Sequence, residues 1–432
     1  LRNAVDGHKS TMEWTTDFLR NYIPGGDKIT NIVKQELYQD AYLMTSDVLP
    51  GTDLDQAIPH VRPKGAPPRP VLKPEFENRF LKLPEMGIEL VSEHGDKVLA
   101  GRWYEVRDVP GIYISTICPG MIADSVIKKE WPQVSPLDEI EKTALVHMVA
   151  FDLDQFDMRF MVGTEHPKVG WSDRVQPAVR TSDIPGPDGF DTVAPLVRTG
   201  MVNPVFAETI AATFTGGFKR LHGAFRFGEY SKKNQGSHYG FIENEVVMSR
   251  MIPGLATIII RNSGTVEMTT WTGMDKDAAD PIRYARQNGL PLVDYDPVTG
   301  ESFPGKYVSQ PLLGNWSGSV EGKYRTLRAG AGIVDAEGDR FFLYGYFSSA
   351  TASAAARTFM AFGPRYAMLT DINALEHTYL AIYRWNDAGF QVQHLIREMS
   401  VLDKSIKGRV APRFVGYADN RDFFYLLKRR RQ

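Results

Sequence analysis

The sequence predicts an α+β fold of mixed, mainly antiparallel sheets with a few packed helices, on three observations. Apolar segments of strand length recur along most of the chain, among them residues 210–214, 256–261 and 266–270. Helical spacing of apolar residues is confined to a few stretches, chiefly near the N-terminus and over residues 349–362. Finally, residues 340–371 read as a strand, a helix of about three turns and a second strand, a unit that needs a layered sheet to pack on.

Taken in order, residues 1–45 place Phe18, Leu19 and Tyr22 on one short apolar face and Ile29, Ile32, Val33 and Leu37 on another. Pro24-Gly25-Gly26 separates the two, as a helix stop does. From residue 49 to 74 prolines crowd together (Pro63, Pro67, Pro68, Pro70, Pro74), which favours extended backbone and reads as a linker or surface strap. Residues 81–113 alternate short apolar segments with turn residues. Residues 144–162 read as two strands joined near Gln155, and Pro185-Gly186-Pro187-Asp188-Gly189 as a loop. Beyond Asp191, strands are expected at 210–214, 239–247, 256–261, 266–270, 331–334, 340–345 and 367–369. The helix over 349–362 has Ser348, Ser349 or Thr351 as its cap and Gly363-Pro364 as its stop. These readings divide the chain into a helical and proline-rich segment (1–75), a β-rich part (76–190), a main α+β domain (191–385) and a C-terminal extension with a basic tail (386–432).

Composition narrows the function classes. With 432 residues, 43% hydrophobic and 24% charged, the chain has ample material for a large core. A formal net charge of -2 excludes a whole-chain field that attracts nucleic acid. The one concentrated basic run, Lys428 to Arg431, reads as a solvated tail. A single cysteine, Cys118, excludes an intrachain disulfide and a cysteine-based metal site. No apolar run approaches the roughly 18 residues of a membrane span. The chain opens on Leu1 with no signal-like pattern, consistent with an upstream leader or anchor removed. Asp152, Asp154 and Asp157 lack the glycine of a calcium loop and fit a solvated strand face.

Three stretches, in order, carry a resemblance. Ala212-Thr213-Phe214-Thr215-Gly216-Gly217-Phe218, followed by His222-Gly223-Ala224, is similar to a strand ending in an Asn-Gly-Gly-Phe-Phe type turn. Tyr324-Arg325-Thr326-Leu327-Arg328-Ala329-Gly330-Ala331-Gly332-Ile333 is similar to an Arg-x-x-x-Gly strand ahead of a hairpin. The helix ending at Phe362-Gly363 and the strand Tyr366-Ala367-Met368-Leu369-Thr370-Asp371 are similar to a helix, turn and Ala-x-x-Leu-Asp-Gly-Gly strand end. Together they resemble the phosphodiester glycosidase family, whose best-known member uncovers mannose 6-phosphate by removing N-acetylglucosamine from lysosomal enzymes. Two positions depart from the pattern. Thr215 stands where the family has Asn, and Ile372-Asn373 where it has Gly-Gly, of which Asn tolerates positive φ better than Ile.

The resemblance implies hydrolysis of a sugar phosphodiester or a related envelope polysaccharide, outside the cytoplasm and without a cofactor or metal. Asp371 is then the carboxyl group, at the end of a strand where such sites gather polar residues. Arg328 is the permanently charged phosphate clamp, with Arg325 in its place if the register is off. Glu376 and His377 are close enough in sequence to share its pocket, and His222 is a further proton donor or base. Thr215, Gly216, Gly217 and Asn373 are the substrate-binding positions. His222, His238 and His377 show no ligand spacing for a metal. Trp271, Trp316 and Tyr324 are read first as core and second as sugar-stacking rings. The partners expected are a carbohydrate or glycosyl phosphate and no nucleic acid, with the oligomeric state open. The alternative is a family-derived binding or structural protein that kept the fold and lost the chemistry. Arg328 and Asp371 converging on one small ligand would favour the first reading; an apolar plug from Ile372 and Leu375 would favour the second.

Overall fold

The computed structural model describes residues 7–24, 39–46, 65–92, 94–95, 97–164, 200–219, 223–233, 236, 240–273, 278–314, 316, 324–386 and 389–429. Its architecture is α+β: three antiparallel sheets carry most of the chain, and helices are few.

The strands that matter below are β1 (Ile112–Ile117), β2 (Val146–Asp152), β3 (Phe156–Met161), β4 (Ile210–Thr215), β5 (Ile282–Gln287), β6 (Thr326–Ala336), β7 (Asp339–Ala350), β8 (Tyr366–Ile372), β9 (Leu380–Asn386) and β10 (Phe423–Lys428). The largest sheet has eight strands, in the order Ser302–Pro304, Pro291–Tyr295, β8, β6, β7, β2, β1 and Tyr104–Glu105. A second sheet runs Gly389–His394, β9, β4, β10, β3, and a third runs Val266–Thr270, Ala256–Arg261, β5, Phe241–Glu243, Val246–Ser249. Strands from residues 76–190, from 191–385 and from the C-terminal extension therefore interleave within the same sheets.

Apolar sequence explains how the sheets meet. Every residue of β1, β2, β4 and β8 is buried, so these strands are covered on both faces and need no polar alternation. Phe214 of β4 is the ring at which the first two sheets join. Its centroid lies 5.4 Å from Phe342, 5.1 Å from Tyr344 and 5.9 Å from Phe151 in the large sheet, and 5.5 Å from Phe424 in its own. Phe160 and Phe241, 6.3 Å apart, tie the second sheet to the third.

Helix α2 (Ala352–Phe362) starts at Thr351, whose hydroxyl accepts from the Ala354 N–H at 3.1 Å. It ends at Gly363, whose φ of 76° is a left-handed cap that favours glycine. The alanine-rich helix lies close on the sheet, with Phe359 packed 5.7 Å from Phe347. The strand expected over 239–247 is two strands instead. Asn244 and Glu245 have φ of 48° and 68°, the tight hairpin turn of Phe241–Glu243 and Val246–Ser249. β6 and β7 extend well beyond their expected apolar cores, because pairing continues into residues that are small or polar.

The described end of the proline-rich stretch is packed rather than free. Ala66, Pro67 and Pro70 are buried, and the Val71 N–H bonds the carbonyl of Ala361 at the end of α2. The second expected N-terminal helix, the loop at 185–189 and the start of the main domain at Asp191 lie outside the described residues. The first helix is present as α1 (Thr11–Tyr22), but of its expected apolar face Phe18 and Tyr22 are 42% and 73% exposed and Leu19 is half-buried; Trp14, beside them, is 60% exposed. Among its described side chains the buried one is Glu13, at 5%. Among the described residues, no helix is long and apolar enough to cross a membrane.

Candidate active site

Three chain segments converge at one edge of the sheets. β4 ends in Thr215-Gly216-Gly217, β8 ends in Asp371-Ile372 followed by the loop 373–378, and residues 419–422 lead into β10. Hydrogen bonds lock them together. The Thr215 hydroxyl donates to the His377 carbonyl at 2.5 Å, and the Gly216 N–H donates to the Asp422 carbonyl at 2.9 Å. Asn373 turns the loop with a φ of 79°, the conformation a glycine would otherwise supply. Its amide oxygen accepts from the Thr326 hydroxyl at 2.9 Å. Gly217 is required for close approach: a Cβ there would meet Asn288 Oδ1 at 2.9 Å and Arg286 Nη2 at 3.0 Å.

The convergence brings buried charges together. Arg421 Nη1 donates to Asp371 Oδ2 at 2.6 Å, while Asp371 Oδ1 accepts from the Ile372 N–H at 2.8 Å. The same guanidinium reaches Glu13 of α1, through Nε at 2.8 Å and Nη2 at 2.6 Å. Glu13 also accepts from Lys219 Nζ at 3.0 Å and from Asn420 Nδ2 at 3.1 Å. His377 Nδ1 donates to the Ile372 carbonyl at 2.7 Å, which turns Nε2 to Glu376 Oε1 at 3.2 Å. Arg413 braces the loop from behind. It holds Asp419 through two bonds of 2.9 and 3.1 Å and gives a third, of 2.5 Å, to the Glu376 carbonyl.

These contacts set the protonation states. Burial alone pushes the Glu13 carboxyl up, but the charges of Arg421 and Lys219 outweigh it and hold Glu13 well below the usual carboxylate range. Glu376 follows the same logic. Burial raises it, and the neighbouring His377 and Arg421 bring it down to about 2. Burial lowers the Arg421 guanidinium, and the facing Glu13, Asp371 and Glu376 carboxylates push it above its ordinary value. Ligand atoms of Glu13, Glu376 and His377 lie within 4.8 Å of one another, near enough to share a cation. Glu13, however, is already neutralised by Arg421 and Lys219.

Of the sequence-expected residues, Asp371, Glu376, His377, Thr215 and Gly216 meet here, and Asn373 and Gly217 shape the loops beside them. Arg328 does not join them. Its guanidinium is buried and donates to the backbone carbonyls of Ala350 (2.6 Å), Trp316 (2.7 Å) and Tyr324 (3.4 Å), and burial lowers it to about 10. Arg325 is committed to Asp40 at 2.7 Å and Asp138 at 2.6 Å. Trp271, Trp316 and Tyr324 are buried core residues. His222 and His238 lie outside the described residues.

Sequence reasoning missed Glu13, Lys219 and Arg421. A signal for Arg421 was present: Asp419-Asn420-Arg421-Asp422 puts four polar residues directly against the apolar run Phe423 to Leu427, a pattern that buries charges at a strand end. All four are buried. Nothing in the local sequence marks Glu13 as their partner.

No family profile matches the chain, and no curated protein matches it. Solved structures are similar at low level. One is the catalytic domain of zebrafish N-acetylglucosamine-1-phosphodiester alpha-N-acetylglucosaminidase, auto-inhibited by its pro-peptide. It is 11% identical over 80% of this chain and 89% of that one, with a TM-score of 0.35. A hypothetical protein from Synechocystis is 12% identical over 81% of this chain and 69% of its own, with a TM-score of 0.28. A putative exported protein from Burkholderia pseudomallei is 10% identical over 66% and 74%, with a TM-score of 0.23. At these values the likeness carries no statement about activity.

Proposed function

We propose that the chain is a glycosidase-like hydrolase of a sugar phosphodiester, with Arg421 and Lys219 as its anion clamp in place of Arg328. The observation that carries this reading is the cluster in which Arg421 pairs with Asp371 and Glu13, Lys219 pairs with Glu13, and the half-buried Glu376–His377 pair lies beside them. Such burial excludes water and strengthens each charge. Arg421 and Lys219 would hold the phosphate oxygens. The neighbouring His377 and Arg421 keep Glu376 ionised at neutral pH, which leaves it the role of base rather than acid. It takes a proton from a water whose oxygen bonds to the anomeric carbon. The bond from that carbon to the phosphate oxygen breaks, its electron pair leaves with the phosphate, and the proton is then released to solvent.

The test is hydrolysis of a chromogenic panel of sugar phosphodiesters by the wild type, Glu376→Gln and Lys219→Met. Turnover in the wild type that falls at least 100-fold in both folded variants supports the assignment. Turnover unchanged in either removes that residue from the chemistry.

A second reading, a binding or structural protein that has lost catalysis, is favoured by one observation. Ile372 and Leu375 are both buried in the loop region where a glycine-lined anion cradle would lie. Absence of turnover across the whole panel, together with retained sugar-phosphate binding, would select it.

A further inference from the structure

Residues 404–418 hold four basic side chains and no acidic one, and they open with a hairpin that belongs to none of the three sheets. Its strands, Lys404–Ile406 and Arg409–Ala411, pair with each other and, among the described residues, with no third strand. Lys407 and Gly408 make the turn, with φ of 51° and 75°, the conformation that suits the twist of a tight hairpin. The base is held in place. The Asp403 carboxylate accepts from the Arg413 N–H at 3.1 Å and from the Tyr379 hydroxyl at 3.4 Å, and lies 3.2 Å from His394 Nε2. The Tyr417 hydroxyl donates to the Leu402 carbonyl, and Lys404 Nζ sits 4.1 Å from the centre of the same ring.

The tip is built differently. Ile406 and Val410 are 46% and 64% exposed, and Val401, just ahead of the hairpin, is 77% exposed. A hairpin packed on its own protein buries the apolar residues of one face. Here Ile406 stands opposite Arg409 on one face and Val410 opposite Ser405 on the other, so each face of the tip carries an exposed aliphatic chain. Of the four cations, Arg413 is matched by Asp419, while Lys404, Lys407 and Arg409 form no ion pair among the described residues.

We propose that the hairpin 404–411 is a membrane-surface contact whose tip dips into the headgroup layer of an anionic lipid bilayer. A folded partner would cover one face of the hairpin, whereas a headgroup layer surrounds both, which is what aliphatic chains on both faces require. A stable protein interface engages roughly 20–30 residues a side. The exposed side chains of the tip are far fewer: Ser405, Ile406, Lys407, Arg409 and Val410. Lipid contact has no such threshold, because each inserted chain adds on its own and each cation beside an anionic leaflet strengthens binding about fivefold. The inference does not rest on the hydrolase reading.

The test is co-sedimentation of the full chain with vesicles of phosphatidylcholine alone and of phosphatidylcholine with phosphatidylglycerol, seven parts to three. The wild type is compared with Lys407→Asn/Arg409→Gln and with Ile406→Ser/Val410→Ser, all at exposed positions that leave the base contacts intact. The proposal expects binding to the anionic vesicles well above that to phosphatidylcholine, at least tenfold weaker in the first variant and at least fivefold weaker in the second. Absence of binding, equal binding to both vesicles, or affinity unchanged in both variants overturns it. Self-association of the wild type that the same substitutions abolish, without lipid binding, would make the tip an interface between copies of the chain and also overturn it. If a variant does not fold, hydrogen exchange in the wild type decides. Slower exchange over residues 404–411 on anionic vesicles supports the contact. Unchanged exchange there, with the protein bound, would place the lipid on another surface, such as the basic tail.

Discussion

At the scale of single residues, the same side-chain type plays opposite parts here, and burial with partners separates them. Arg328 and Arg421 are both fully buried guanidinium groups. Arg328 satisfies three backbone carbonyls and no carboxylate, whereas Arg421 joins two carboxylates from distant parts of the chain. Arg328→Ala therefore strips hydrogen bonds from three carbonyls and leaves a cavity at β6, a loss of about 3–5 kcal/mol. Urea unfolding should show it as a lower midpoint, with any loss of turnover following the loss of fold. A variant as stable as the wild type would mean that the guanidinium is not structural. The site was legible in sequence where its members are local. Asp371, Glu376 and His377 lie within seven residues of one another, and Thr215-Gly216-Gly217 is a strand end with its turn. Glu13 was not legible, because its partner Arg421 is 408 residues away and a lone glutamate on a helix usually reads as solvated. The register that brings them together is set by β10 pairing with β4, a long-range choice that no local pattern carries.

At the scale of elements, the readings that held are those where propensity and burial agree. Residues 256–261 and 266–270 form the strands read from their apolar β-branched pattern, because the two pair with each other over almost their whole length and the hairpin turn is short. Helix α2 is another case: alanine spacing, the Thr351 cap and the Gly363 stop all favour one state. Thr351→Ala removes the hydroxyl that accepts the Ala354 N–H, and should cost about 1 kcal/mol without changing the fold. Chemical denaturation is the check, and a neutral result would show that neighbouring groups already satisfy the first turn. Helix α1 was read correctly as a helix and incorrectly in its facing. Periodicity reports which residues share a face, but whether that face is buried depends on what stands opposite. Here the opposite surface is Arg421, Lys219 and Asn420.

At the scale of the whole molecule, burying this many ionisable groups makes stability a function of pH, and the order of events in acid follows from two of them. His147 is fully buried on β2, its Nδ1 2.9 Å from the Thr116 hydroxyl, and burial lowers it from 6.5 to about 4. In the unfolded chain the imidazole takes a proton near 6.5, and in the folded one only near 4. Unfolding therefore gains a proton in between, and stability falls as pH drops through that window, by on the order of 3 kcal/mol. Glu376 acts lower. Its folded value of about 2 lies under the ordinary 4.5, so its stabilisation is complete above 4.5 and lost as pH falls toward 2. Acid unfolding should accordingly show two stages, and urea midpoints at pH 7, 5 and 3 resolve them. His147→Asn should flatten the stage between pH 7 and 5 and leave the lower one, because the carboxylate cluster around Arg421 is untouched. If the midpoint at pH 5 equals that at pH 7 in the wild type, the imidazole is not held neutral by the sheet. Acid sensitivity would then lie with the carboxylates alone.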